Sequence, residues 1–257
     1  MPLPSPGAAS ARSTDTAAAA WEAWRARRIA SVTAPTGNLA LVETRWLPSG
    51  TTSAPDIEAE RRNAPQGVRV TSLERSDILT GEPEFGLRFW DAESPALRRF
   101  SHIETFDHDP EWVLRATFTP VATDRRIPFE YIRDNGGSRG LIVPGDITLT
   151  LDGVDYTLAA FDDDGTLLLV FGDPTNGVGT YGSGRFLFVE REPDGDTGTV
   201  TLDFNRAFVP PCGFSAQYNC PLPPPQNRLH LPVPAGEKLP VFVDGHPVDG
   251  HPSGVSK

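Results

Sequence analysis

The sequence predicts a mainly β protein, an antiparallel barrel or a two-sheet sandwich with a short N-terminal helix. Three observations point there. Beyond Pro35 come about ten short runs rich in β-branched and aromatic side chains, each bounded by Gly, Pro or Asp. The chain is dense in turn-formers, with 24 Gly and 26 Pro. Two tight hairpins are written into it, "LDGVDY" at Asp152-Gly153 and "FDDDGTL" at Asp164-Gly165.

Taken in order, residues 1–15 are Pro, Ala, Ser and Gly and read as a disordered segment. A helix follows in "TDTAAAAWEAWRARRIASV", with Thr14 or Asp15 as its cap. Trp21, Trp24 and Arg28 fall three and four apart and share a face, which would pin the tryptophans onto the body. "NLALVETRWL" opens the strands, and "DIEAERR" offers one helical turn before "VRVTSL" and "EFGLRFWD". "WVLRATFTP", "GDITLTLDG", "VDYTLAAFD", "TLLLVFGD", "RFLFVERE" and "TVTLDFNRAF" complete the series. In the last, alternation puts Val200, Leu202 and Phe204 on one face and Thr201, Asp203 and Asn205 on the other. The prolines of "CPLPPPQNRLHLPVPAGEK" favour an extended conformation barred from a central strand, so this segment reads as a rigid strap over the body. Residues 16–242 therefore form one β-rich domain, and 243–257, with its repeated "DGHP", is a flexible tail.

Charge narrows the partners. The formal net charge is -11, and an acidic surface repels both phosphate backbones and anionic membranes. No run approaches the roughly 18 apolar residues a span needs, and the N-terminus has no charged n-region before an apolar core. A cytoplasmic location is expected.

Cofactor and metal motifs fail on inspection. Gly177-x-Gly179-x-x-Gly182 matches the dinucleotide fingerprint formally, but a strand follows where a helix should receive the pyrophosphate. "DDDG" at 162–165 lacks the opening ligand of a calcium loop, since Ala160 stands there. His102, Glu104, Asp107, His108 and Asp109 cluster without a zinc spacing and read as a solvated turn. No cofactor and no metal are expected.

The two cysteines, Cys212 and Cys220, both lie in the strap region. Four readings stand: a disulfide or close dithiol, a pair of inert packed thiols, a metal site with His230, whose Cys-x7-Cys-x9-His spacing is not a standard zinc pattern, and a catalytic thiol. Arg206 and Arg228 are the nearby cations for the last of these.

"DPTNGVGTYGSGRFLFVE", "GTVTLDFNRAFVPPCGFSAQYNCPLPPPQNRL" and "PAGEK" resemble the domain of unknown function 1684 (DUF1684), a bacterial and archaeal family. The resemblance is specific over residues 141–238. It implies one integrated β-rich domain and no assigned activity. It marks Arg185, Asp203, Asn205, Asn227, Glu237 and Lys238 as family positions, and it implies that the cysteines lie near each other.

Polar residues beside Gly-rich and Pro-rich loops, with no cofactor motif, suggest a cofactor-independent acid–base enzyme acting on a small organic substrate in a β-barrel pocket. Asp203 or Glu237 would move a proton, and Arg185, Asn205 or Tyr181 would hold a developing anion. The alternatives are a non-catalytic small-molecule binding module and a structural protein with Arg185 and Asp203 as a buried pair.

Overall fold

The computed structural model describes residues 6–48, 50–51, 53–77, 81–121, 124–191 and 198–243. In chain order, α1 (Pro6–Val32) leads through a 3-10 turn at Asn38–Ala40 into β1 (Leu41–Trp46), α2 (Ile57–Asn63), β2 (Val68–Ser76) and β3 (Pro83–Asp91). Next come α3 (Pro95–Arg99), β4 (Phe100–Thr105), β5 (Val113–Pro120), β6 (Arg126–Glu130) and β7 (Ser138–Ile142). β8 (Gly145–Leu151), β9 (Val154–Asp163), β10 (Thr166–Phe171), β11 (Arg185–Arg191), β12 (Gly198–Asp203) and β13 (Glu237–Phe242) finish the chain.

Six strands close into an antiparallel barrel in the order β10-β11-β12-β5-β8-β9. Both Asp-Gly hairpins form as the sequence demands. Asp152 and Gly153 adopt φ 49 and 75, and Asp164 and Gly165 adopt φ 51 and 85, the left-handed pair that lets a two-residue turn match the strand twist. Period-2 alternation sends Leu167, Leu169, Leu187, Val189, Val200 and Leu202 into the barrel. Phe118, Ile147 and Leu158 meet them there. Six strands enclose less than the eight whose interior side chains just fill, so this lumen is a packed core.

A second core lies on the outside of β9 and β10. Ala159, Phe161, Leu168 and Val170 face outward and are covered by Leu39, Leu41, Phe129, Val143 and Phe214. β10 is therefore buried on both faces, which explains its unbroken apolar run "LLLVF". A smaller sheet, β1-β3-β2, packs Val70, Leu87 and Phe89 beneath α2, whose N-terminus Asp56 caps by accepting from the Glu58 and Ala59 amides.

Four strands escape the sequence reading: β4, β6, β7 and β13. Pro128 and Pro240 sit in β6 and β13, and each of these strands belongs to a two-stranded sheet, β6-β7 or β13-β4. Proline is tolerated at such edges, so its presence argued against strands that nonetheless exist. α1 also begins earlier than expected. It starts at Pro6, so Thr14 and Asp15 lie within the helix and do not cap it. Pro suits a first helical turn, and the alanines that follow propagate the helix. Residues 1–5 and the tail 244–257 lie outside the described residues. No helix among the described residues is long and apolar enough to cross a membrane.

Candidate functional site

The residues singled out by sequence meet at one end of the barrel, where α1, the segment after β12 and the start of β13 converge. β12 ends at Asp203, and the chain turns into a 3-10 helix at Phe204–Arg206. This corrects the strand alternation extended through residue 205. Asp203 caps the new turn, accepting from the Asn205 amide at 3.2 Å, and pairs with Arg206 Nε at 3.1 Å. The turn rotates Asn205 inward, where it is fully buried.

Asn205 behaves as a substitute peptide unit. Its Oδ1 accepts from the Asp109 amide at 2.8 Å, and its Nδ2 donates to the Asp109 carbonyl at 2.9 Å. Its own carbonyl accepts from Trp21 Nε1 at 3.0 Å, which ties α1 to the barrel end. Asp109 also caps the turn at Pro110–Trp112, and His108 packs on the Trp21 ring at 5.6 Å.

Arg185 opens β11 and is fully buried. Its Nη2 donates to Asp173 Oδ2 and to the Val233 carbonyl, both at 2.8 Å. Its Nη1 serves the carbonyls of Ala235 and Glu237. Burial lowers its pKa, and the facing Asp173 and Glu237 carboxylates push back. The expected Arg185–Asp203 pair therefore does not form; Asp173, in the Gly-rich loop, takes that place. One guanidinium thus holds the strap segment 233–237 onto the barrel.

Glu237 is also buried. Its Oε1 accepts from Arg28 Nε at 3.0 Å, and its Oε2 from the Val209 amide at 2.8 Å. Arg28 additionally donates to the Val209 carbonyl at 2.7 Å and lies over the Phe208 ring at 4.8 Å. Burial raises the Glu237 carboxyl pKa, which Arg28 and the Val209 amide partly offset. Tyr181 donates its hydroxyl to the Cys212 carbonyl at 3.2 Å, and desolvation raises its pKa. Arg185, Tyr181 and Glu237 are thus neighbours along the 235–238 segment, while Asp203 and Asn205 join them through Ala207, whose carbonyl accepts the Glu237 amide at 2.7 Å.

The strap continues the theme. Asn227 accepts from the Ala159 amide at 2.9 Å and donates to the carbonyls of Ala159 and Val170 at 2.8 and 2.7 Å. The strap also pairs with β6, the Leu222 amide reaching the Glu130 carbonyl at 2.7 Å.

A second cluster, not assigned from sequence, sits where the β1-β3-β2 sheet meets the strap. Arg88 lies mid-β3, opposite Thr44 and Thr71. Its guanidinium carbon is 5.1 Å from the Tyr218 ring centroid and 6.0 Å from that of Trp90. Arg88 is half-buried. Among the described residues it makes no ion pair, and its Nε is buried without a partner. Arg133 approaches the same tyrosine, donating Nε to the Tyr218 carbonyl at 2.9 Å, and faces no described carboxylate within ion-pair distance. Desolvation pushes the Tyr218 and Tyr131 phenols to about 12.

Both cysteines border this cluster as free, buried thiols. The Cys212 amide donates to Cys220 Sγ at 3.3 Å. The hydrogen bond from the Cys220 side chain lowers the Cys212 thiol, with Arg133 helping, while burial raises Cys220 well above the usual range. Sequence reasoning looked to Arg206 and Arg228 for nearby cations. The arginines that act here are Arg88 and Arg133, which lie far from the strap in the chain and become its neighbours only through the sheet and hairpin packing.

The family model described as "Protein of unknown function (DUF1684)" matches residues 98–238, more than half of the chain. The chain belongs to the DUF1684 family. The DUF1684 match spans the barrel, the Gly-rich loop and the strap, and it stops as β13 begins. Among solved structures, the chain is similar to the solution NMR structure of an uncharacterized protein from Haloarcula marismortui, at 34% identity over 54% of this chain and 77% of that one, with a TM-score of 0.44. No curated protein matches.

Proposed function

We propose that this DUF1684 protein is a small-molecule binding module that captures a small organic anion, acting in the cytoplasm. One observation carries the reading. In a chain with 34 acidic and 23 basic residues, carboxylates are in surplus, yet the half-buried Arg88 has no carboxylate partner among the described residues. Its Nε is buried without a partner, and an anion from outside would supply both an acceptor and a counter-charge. The rings of Tyr218 and Trp90 lie beside the guanidinium and help to fix its position. The groups first favoured for catalysis are engaged in internal hydrogen bonds, which weighs toward capture over turnover. Two free thiols suit a reducing compartment.

The test is a panel of aromatic carboxylates, aliphatic carboxylates and inorganic phosphate, screened for a shift in unfolding midpoint and followed by calorimetry. An anion that stabilises the wild type, with affinity falling as salt rises, is expected to bind Arg88→Gln at least about tenfold more weakly. Equal binding by the variant, or no stabilising anion in the panel, overturns the reading. The bound ligand is then recovered and weighed. Unchanged mass sustains capture. A product of different mass moves the reading to acid–base chemistry, for which the raised Glu237 carboxyl is the specific support.

A further inference from the structure

We propose that Cys212 and Cys220 form an oxidation site that closes as an intrachain disulfide when a small hydroperoxide reaches it. The pairing is arranged before any reaction. These are the only two cysteines in the chain, and both are free. The Cys212 amide donates to Cys220 Sγ at 3.3 Å, so one sulfur already rests against the backbone of the other residue. Each backbone is held independently: the Cys212 carbonyl accepts the Tyr181 hydroxyl at 3.2 Å, and the Cys220 carbonyl accepts the Ile132 amide at 3.1 Å. The intervening loop is fixed too, with the Ser215 amide on the Pro211 carbonyl and the Ser215 hydroxyl on the Leu41 carbonyl. The two residues are therefore held side by side before any oxidation.

The electrostatics assign the roles. Cys212 is the thiol more easily ionised, with Cys220 and Arg133 supporting its anion. Cys220 keeps its proton. The Cys212 thiolate attacks the terminal oxygen of the hydroperoxide and the O–O bond breaks. The leaving alkoxide takes up a proton, and a sulfenic acid remains on Cys212. Cys220 then gives up its proton and attacks that sulfur. The S–O bond breaks, and hydroxide leaves with the proton as water. In sum, two thiols and one hydroperoxide give one disulfide, one alcohol and one water; the sulfurs lose two electrons and the peroxide gains them. Only 2% of Cys212 and 5% of Cys220 is exposed, so bulky thiol-capping agents are excluded from the folded protein and the smallest hydroperoxide, hydrogen peroxide, is the suited oxidant. The product joins the 3-10 turn at Pro211–Gly213 to the strap beside β6.

The full-length folded protein is treated with hydrogen peroxide, quenched, alkylated under denaturing conditions with and without prior reduction, and weighed. The expected product has lost two hydrogens, resists alkylation until reduced, and yields a Cys212–Cys220 cross-linked peptide. Its unfolding midpoint should rise by about 5 °C over the untreated protein. Sulfinic acid, a cross-link between chains, or two thiols still alkylated in full each overturn the proposal. Cys220→Ala should instead leave Cys212 to proceed to sulfinic acid; an inert Cys212 in that variant overturns its assignment as the attacking group.

Discussion

Asn205 and Asn227 solve the same problem at two places on the barrel. A primary amide carries one acceptor and two donors in nearly the arrangement of a peptide unit, so it can pair with a backbone edge where no strand is available. Asn227 satisfies an amide and a carbonyl of Ala159 and the carbonyl of Val170. Replacing it with Ala leaves these groups buried and unpartnered, at about 1–3 kcal/mol for each uncompensated group. Asn227→Ala is therefore expected to lose about 2–4 kcal/mol in urea unfolding, and Asn227→Asp at least as much, because a carboxylate cannot donate to the two carbonyls. A loss under about 0.5 kcal/mol would show that the clamp is dispensable. The residue type was legible in the sequence, but its use was not. The same Asn that could hold a ligand can hold the chain's own backbone, and only the position of Ala159, 68 residues earlier, separates the two.

Among the elements, the barrel strands were the most legible, because each follows period-2 alternation or runs apolar between turn residues. The strands that went unread carry Pro or Gly, or few apolar residues, and gain their pairing from partners distant in the chain. β13, for example, pairs with β4 across register shifts at Pro240. The break after Asp203 was hidden for a related reason: "LDFNRAF" continues to alternate on paper while the backbone has already turned. The Gly-rich loop shows how closely strap and barrel meet. Gly184 has φ 92, and a Cβ there would lie 2.5 Å from Pro223 Cγ and 2.6 Å from the Phe171 carbonyl oxygen. In the same loop, a Cβ on Gly179 would meet nothing within 4 Å. Gly184→Ala should therefore destabilise by more than the roughly 1–2 kcal/mol of the left-handed backbone alone, while Gly179→Ala stays within about 0.5 kcal/mol. Matching thermal melts for the two variants would contradict this account of the strap's seat.

On the scale of the whole molecule, Arg28 and Glu237 couple the first helix to the last strand. Burial holds the Glu237 carboxyl above its ordinary value of 4.5. The native state thus keeps this proton to higher pH than the unfolded chain does. The resulting stabilisation is complete below the unfolded value and is lost as pH rises through the native one. Glu237→Gln is uncharged at every pH and should show a flatter decline in urea midpoint above about pH 4.5 than the wild type. Parallel profiles would remove Glu237 as the source of the slope. The same long reach has a temporal consequence. The partners that seat α1 come 181 to 209 residues later. On the ribosome this helix is made well before those partners, and it must wait with Trp21 and Trp24 uncovered until Glu237 has emerged. Until then the growing chain is exposed to misassociation through this uncovered helix.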